Sequence, residues 1–271
     1  IRDIGVTGVQ TCALPIFTGT GNAYTITVTD TTASALDLIT VDGKTTVAVD
    51  AAAVTTVTGS ISPLQSLYAA GAAGTITGLG DEAVTLTDTT LAAAALNTLD
   101  GSTTGVVNAT SVTTLTGTAL AVQTAYNAVS SGTITGLGNE AVTLSDTTLA
   151  ASALNTLDGS TTGLINASSV TTLTGTAAAV QTALDSEGIT GLGGVNVTLT
   201  STTLAASALN TLDASTTGVV NAGSVTTLTG AAADIQAAYA ANAAGTISGL
   251  GNEALTLSDA TITAITLNRS E

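Results

Sequence analysis

Two series of aspartates recur along this chain and are the side chains best suited to chemistry. Asp30, Asp88, Asp146 and Asp259 form the first, with Ser201 standing in the remaining copy; Asp42, Asp100, Asp158 and Asp213 form the second. Carboxylates repeated at fixed spacing invite calcium, which takes about six to eight oxygen ligands. Each series also has a plainer reading. The first lies just ahead of an Ala-rich segment, where a side-chain oxygen accepts from free N–H groups at a helix start and an acid meets the favourable end of the helix dipole. Ser caps as well as Asp does, so Ser201 favours capping. The second lies at a helix end, where the dipole disfavours an acid, and Asp-Gly turn chemistry is the expectation there. Calcium stays open as a ligand, although the Gly- and Asp-rich nonapeptide of calcium-binding β-rolls is absent.

Other repeated positions also carry functional groups. Asp50, Asn108, Asn166 and Asn221 share one position and read as a hydrogen-bonded ladder or a turn. Tyr68, Tyr126 and Tyr239 share another with Leu184, so that position is expected to need bulk and not a hydroxyl. Asp81-Glu82, Asn139-Glu140 and Asn252-Glu253 follow Gly-Leu-Gly, but Gly194-Val195 replaces them in one copy, which reads as an exposed turn. Thr-x-Thr runs such as Thr25-Ile26-Thr27-Val28-Thr29 suit an ice-binding face or an ordinary half-exposed sheet. Proton transfer near neutral pH usually uses His or a tuned Lys. The chain has no His, and Lys44 stands alone in one divergent copy. Paired carboxylates serve glycosidases, yet every acid here is repeated or turn-like. The expectation is no catalytic, cofactor-binding or metal-binding residue, no cofactor and no enzyme.

The elements that must position these groups follow from an internal period. Gly74 to Gly80 recurs at Gly132 to Gly138, in shortened form at Gly188 to Gly193, and at Gly245 to Gly251; Thr90-Leu91-Ala92 recurs at Thr148 and Thr203. The repeats are 17–73, 74–131, 132–187, 188–244 and a partial 245–268. Within each, a Thr-rich apolar strand and an Ala-rich segment occur twice. In one half Val84-Thr85-Leu86 alternates as a strand and Ala92, Leu96 and Leu99 lie on one helical face. In the other, Val112 to Leu115 is the strand, Gly117-Thr118 the cap region, and Val122, Tyr126 and Val129 the helical face. A unit so small buries its apolar face only against neighbours. The fold class expected is α/β or mainly β, a parallel-stranded repeat solenoid with short helices or turns, about 29 residues per coil and 58 per full repeat. An all-β solenoid is the main rival.

Composition narrows the function. Hydrophobic residues are 44% but aromatics only 2%, so the interior must be built from Ala, Val, Leu and Ile. With 19 acids against 3 bases the formal charge is −16, which repels nucleic acid and anionic lipid and is read as aiding solubility. Thr, Ser, Gly and Asn interrupt every apolar run, so no membrane span is expected, and the first residues lack a basic segment followed by a long apolar one. Val6 to Ile16 fits no repeat and resembles translated sequencing adapter, as does Arg269-Ser270-Glu271. Residues 1–16 are therefore read as a non-native leader and 269–271 as a non-native tail of a metagenomic fragment. Cys12, Arg2 and Arg269 leave with those flanks, together with Asp3 and Glu271, so the net charge is unchanged.

Leu-Ser-Asp-Thr-Thr-Leu-Ala-Ala-Ser-Ala-Leu-Asn-Thr-Leu-Asp-Gly from Leu144 and Val-Thr-Thr-Leu-Thr-Gly-Thr-Ala from Val170 resemble repeats of giant bacterial cell-surface proteins, those of marine cyanobacteria above all. The resemblance spans 17–268. It implies a very long secreted or surface-attached chain, often exported by a type I system, and carries over no catalytic residue. The function expected is a structural or adhesive stalk segment, extracellular or at the cell surface. Its partners would be neighbouring repeats of the same chain and a surface glycan or surface protein. A calcium- or ice-binding solenoid module of an adhesin is the alternative.

Overall fold

The computed structural model describes residues 3–6 and 21–259. In chain order the elements are β1 (Asp3–Val6), β2 (Thr25–Val28), β3 (Thr32–Ser34), α1 (Ala35–Asp42), β4 (Val49–Asp50), β5 (Thr56–Gly59), α2 (Ile61–Ala73), β6 (Ile76–Thr77), β7 (Ala83–Leu86), β8 (Thr90–Ala92), α3 (Ala93–Asp100), β9 (Val107–Asn108), β10 (Thr114–Gly117), α4 (Ala119–Ser131) and β11 (Ile134–Thr135). There follow β12 (Ala141–Leu144), β13 (Thr148–Ala150), α5 (Ala151–Asp158), β14 (Ile165–Asn166), β15 (Thr172–Gly175), α6 (Ala177–Asp185), β16 (Ile189–Thr190), β17 (Asn196–Leu199), β18 (Thr203–Ala205), α7 (Ala206–Ser215), β19 (Val220–Asn221), β20 (Thr227–Gly230), α8 (Ala232–Ala244), β21 (Ile247–Ser248) and β22 (Ala254–Leu257). They form two compact units, residues up to 116 with 121–140, and 117–120 with 141 onward.

The first unit holds a sheet ordered β1-β2-β4-β6 and a five-stranded sheet ordered β3-β5-β7-β9-β11, and in it β8 pairs with β10. In the second unit β12 pairs with β14 and β14 with β16, a five-stranded sheet runs β13-β15-β17-β19-β21, and a third runs β18-β20-β22. Every printed register among these strands is parallel, and a helix carries the chain from one strand to its neighbour in the same sheet. Each unit is therefore an α/β parallel-stranded repeat solenoid. Helices of 8 to 13 residues exclude the all-β alternative.

The pairing register adds something the sequence period does not contain. Thr32 faces Thr56, Val57 faces Val84, Val84 faces Val107 and Val107 faces Ile134, steps of 24, 27, 23 and 27 residues. Two steps fall seven or eight residues short of the 58-residue period. The surplus is an extra strand. β8 follows β7 almost at once, yet leaves that sheet and pairs with β10; in the second unit β13 and β18 likewise open new sheets. Two coils per repeat thus coexist with a sideways step of one sheet per repeat.

The interior is made of small residues in ranks. Ala33, Val57, Val84, Val107 and Ile134 face one another across one sheet and are all buried, and Leu173, Val197, Val220 and Ile247 do the same in the second unit. On α3 the buried face is Ala93, Leu96 and Leu99; Ala92, expected on that face, is exposed and ends β8. An isolated helix of eight residues is unstable in water. It persists because each buried Leu contributes about 1.5–3 kcal/mol. The second strand of the repeat begins later than alternation suggests: Val112 is buried in a turn, its N–H on the Ala109 carbonyl at 2.9 Å, and β10 starts at Thr114. Gly78, Gly136, Gly191 and Gly249 have φ between 81° and 89°, and in each a Cβ would come within about 2.5–2.7 Å of the neighbouring coil, so glycine is required twice over. The leader and tail, with Cys12, Arg2 and Arg269, lie outside the described residues, apart from the backbone of Asp3–Val6.

Candidate functional site

Parallel pairing brings the chain leaving each β7-type strand alongside the start of the preceding helix. Thr87 N–H donates to the Gly59 carbonyl at 3.1 Å, and Ser145, Thr200 and Ser258 repeat this on Gly117, Gly175 and Gly230. The next residue is the first aspartate series. Asp88 Oδ2 accepts from Ile61 N–H at 2.8 Å, Asp146 from Ala119 at 2.8 Å and Asp259 from Ala232 at 2.6 Å; Ser201 Oγ accepts from Ala177 at 3.2 Å. The series caps helices, but those of the preceding half-repeat and not its own. Asp30 has no described helix before it. The helices that follow these residues, α3, α5 and α7, start behind Ala92, Ala150 and Ala205 without any side-chain cap. Only Ser34 and Thr176 cap their own helices, accepting from Asp37 and Ala179.

The second series corrects the local-turn expectation. Gly101 and Gly159 end their helices with φ of −72° and −69°, ordinary right-handed backbone. The carboxylates instead accept from hydroxyls a coil further on. Thr75 donates to Asp42, Thr133 to Asp100 and Thr246 to Asp213, each at 3.0 Å, and Ser186 donates to Asp158 at 2.8 Å. The second oxygens of Asp100 and Asp213 are buried without a hydrogen-bond partner. The Asp50, Asn108, Asn166 and Asn221 series resolves as a turn and not a ladder between coils: each Oδ1 accepts from the N–H two residues on, at 2.9–3.1 Å. An unsuspected third device lies on the short helices, where Asn97, Asn155 and Asn210 donate across 24 residues to the carbonyls of Ala121, Ala179 and Asp234 at 2.9 Å. Its signal was the recurrent Leu-Asn-Thr-Leu-Asp.

The largest correction concerns the acid after Gly-Leu-Gly. Glu82, Glu140 and Glu253 are not exposed; they are 0%, 1% and 6% accessible. Each carboxylate folds back onto the N–H of Gly80, Gly138 or Gly251 at 2.8–3.0 Å. Each also accepts from the hydroxyl of Tyr68, Tyr126 or Tyr239 at 3.2, 3.3 and 2.8 Å. The tyrosine position therefore uses its hydroxyl as well as its bulk. Burial, and then the Glu82 charge, pushes the Tyr68 phenol well above its ordinary range. In the copy with Leu184 in place of Tyr, Val195 replaces the Glu and is itself buried. Both members change together because either alone leaves a buried polar group short of a partner. That joint exchange was visible in the sequence.

Lys44 and the Thr25–Thr29 run sit in the first, divergent copy, where Thr25 and Thr27 point outward from β2 and Ile26 and Val28 inward. Hydroxyls of Thr55, Thr113, Thr171 and Thr226 donate to carbonyls 24 residues earlier at 3.0–3.1 Å. The recurring polar groups thus share one chemistry, hydrogen bonding from one coil to the next. Among the described residues no group of three or more His, Cys, Asp or Glu is placed to hold a metal ion, and no helix is long and apolar enough to cross a membrane. Comparison with protein-family models, with curated proteins and with solved structures finds no match in any of the three.

Proposed function

We propose that this chain is a structural and adhesive stalk segment of a large extracellular or cell-surface repeat protein, without catalytic activity. The observation that carries the reading is where the repeated acids go: both aspartate series and the buried glutamates accept hydrogen bonds that tie one coil or element to the next. An active site needs a unique cluster, whereas these groups recur and serve cohesion. The kinship of the Leu144 and Val170 motifs to giant surface-protein repeats points the same way. Neighbouring repeats are the first partners, with a surface glycan or protein as the adhesive target. Small-angle scattering on chains carrying extra copies of residues 74–131 tests the stalk role. The longest dimension should grow linearly, by roughly 10 Å for the two coils of each added copy. A compact particle whose dimension levels off would overturn it.

An ice-binding module is the second reading. It rests on the register of Ser34, Thr58, Thr85, Asn108 and Thr135 across one sheet, a rank of outward small polar groups repeating at about 4.8 Å. Thermal hysteresis in freezing solutions would favour it over a stalk. For a calcium-binding module, the discriminating measurement is the melting temperature with calcium and with chelator. The stalk reading expects no shift.

A further inference from the structure

Strand β2 belongs to a recurrent type, Thr-Ile-Thr-Val, shared with β7, β17 and β22. Each of those three pairs on one side with a Thr-apolar-Thr-Gly strand in the same register. Thr56 to Gly59 faces Ala83 to Leu86, Thr172 to Gly175 faces Asn196 to Leu199, and Thr227 to Gly230 faces Ala254 to Leu257. On its other side β2 pairs as β7 does, Thr27 facing Asp50 as Thr85 faces Asn108. The first place is filled differently. There Asp3, Ile4, Gly5 and Val6, which belong to no repeat, face Thr25, Ile26, Thr27 and Val28. This segment reproduces the parallel backbone ladder but neither threonine nor the final glycine. That glycine matters at the other interfaces: Gly175 and Gly230 have φ of 155° and 133°, and a Cβ on Gly59 would come 3.3 Å from Ala35 Cβ.

We propose that the β2 edge is a docking site for the Thr-apolar-Thr-Gly strand of a second polypeptide built of this same repeat, and that Asp3–Val6 occupies it as a stand-in. Recognition is strand addition. Main-chain hydrogen bonds supply affinity, and the apolar residue between the threonines, which extends the buried rank, supplies register. The site goes beyond the stalk reading and does not depend on it, since pairing follows from register alone.

The test uses the chain lacking residues 1–17 and a fluorescent peptide of residues 111–131, which carries the Thr-Leu-Thr-Gly strand and its helix. Fluorescence anisotropy should show the peptide binding the shortened chain at least tenfold more tightly than the full chain, and a scrambled peptide not at all. Thr25→Pro in the shortened chain supplies the second arm. The equivalent Ala83 donates its N–H to the Thr55 carbonyl at 3.0 Å, so Thr25 donates toward the docked strand, and proline there removes that donor while leaving the pairing with β4. Binding should fall at least tenfold. Absence of binding by a shortened chain with native circular dichroism overturns the proposal, as does equal binding by the proline variant or of the scrambled peptide. Should the shortened chain fail to fold, Ile4→Pro in the full chain loosens the stand-in instead; unchanged peptide affinity in that variant overturns it equally.

Discussion

Exchanging Tyr126 and Glu140 for the Leu and Val that occupy their places in another copy provides a sharp quantitative check on the buried pair. Glu140→Val alone removes the carboxylate that accepts from the Tyr126 hydroxyl and the Gly138 N–H, in a site where Tyr126 is 4% and Glu140 1% accessible. Stranding a buried donor costs about 1–3 kcal/mol. Tyr126→Leu alone takes a donor from a buried carboxylate, about 1.5–3 kcal/mol for a hydrogen bond to a charged group, and removes ring contacts. The double change leaves no charge to solvate, so its cost should fall below the sum of the two by about 1–2 kcal/mol. A repeat array opens locally, so the readout is amide hydrogen exchange over residues 122–144. If the single effects add within about 0.5 kcal/mol, the pair is not a unit and the reasoning from Leu184 and Val195 fails.

Asp146→Ala should destabilise the start of α4 by about 1 kcal/mol, whereas Asp146→Ser should cost little, as Ser201 implies; exchange at the Ala119 amide separates the two. Gly105→Ala should unfold its coil, because a Cβ there overlaps the Glu82 carbonyl, and loss of circular dichroism or of soluble protein is the expected readout. Alkaline pH should act through Tyr68. Its native phenol is raised, so the folded state holds a proton that the unfolded chain releases above about pH 10. Stability from this group is complete below that pH and lost as pH climbs through the raised native value. Tyr68→Leu combined with Glu82→Val should flatten that fall in melting temperature.

Much of this architecture is legible in the residues, and the rest is lost for one physical reason. The period, the two coils per repeat and the short helices follow from recurrent Gly-Leu-Gly and Asp-Gly and from Leu96 and Leu99 on one face. What spacing along the chain does not reveal is which half-repeat a side chain reaches, because that depends on parallel register. Asp88 precedes α3 and looks like its cap, yet register carries it to Ile61 on α2, 27 residues earlier. Asp100 looks local beside Gly101, yet its partner is Thr133, 33 residues on. Glu82 was misread because its absence from one copy resembled indifference; the simultaneous change of Tyr to Leu marks a constraint instead. The acids as a group looked like a solvated coat, and many of them are in fact internal fastenings.

The transfer of strands between sheets bears on how such a chain would yield to force. Within each unit no ladder gathers more than five strands, the complete ones running from Thr32 to Thr135 and from Thr148 to Ser248. A rupture opening between two strands of one ladder meets, inside the same turn of chain, a strand already bonded into another. Damage is arrested as a crack is arrested in staggered brickwork, so pulling should give sawtooth releases of a few strands and not one long unzipping.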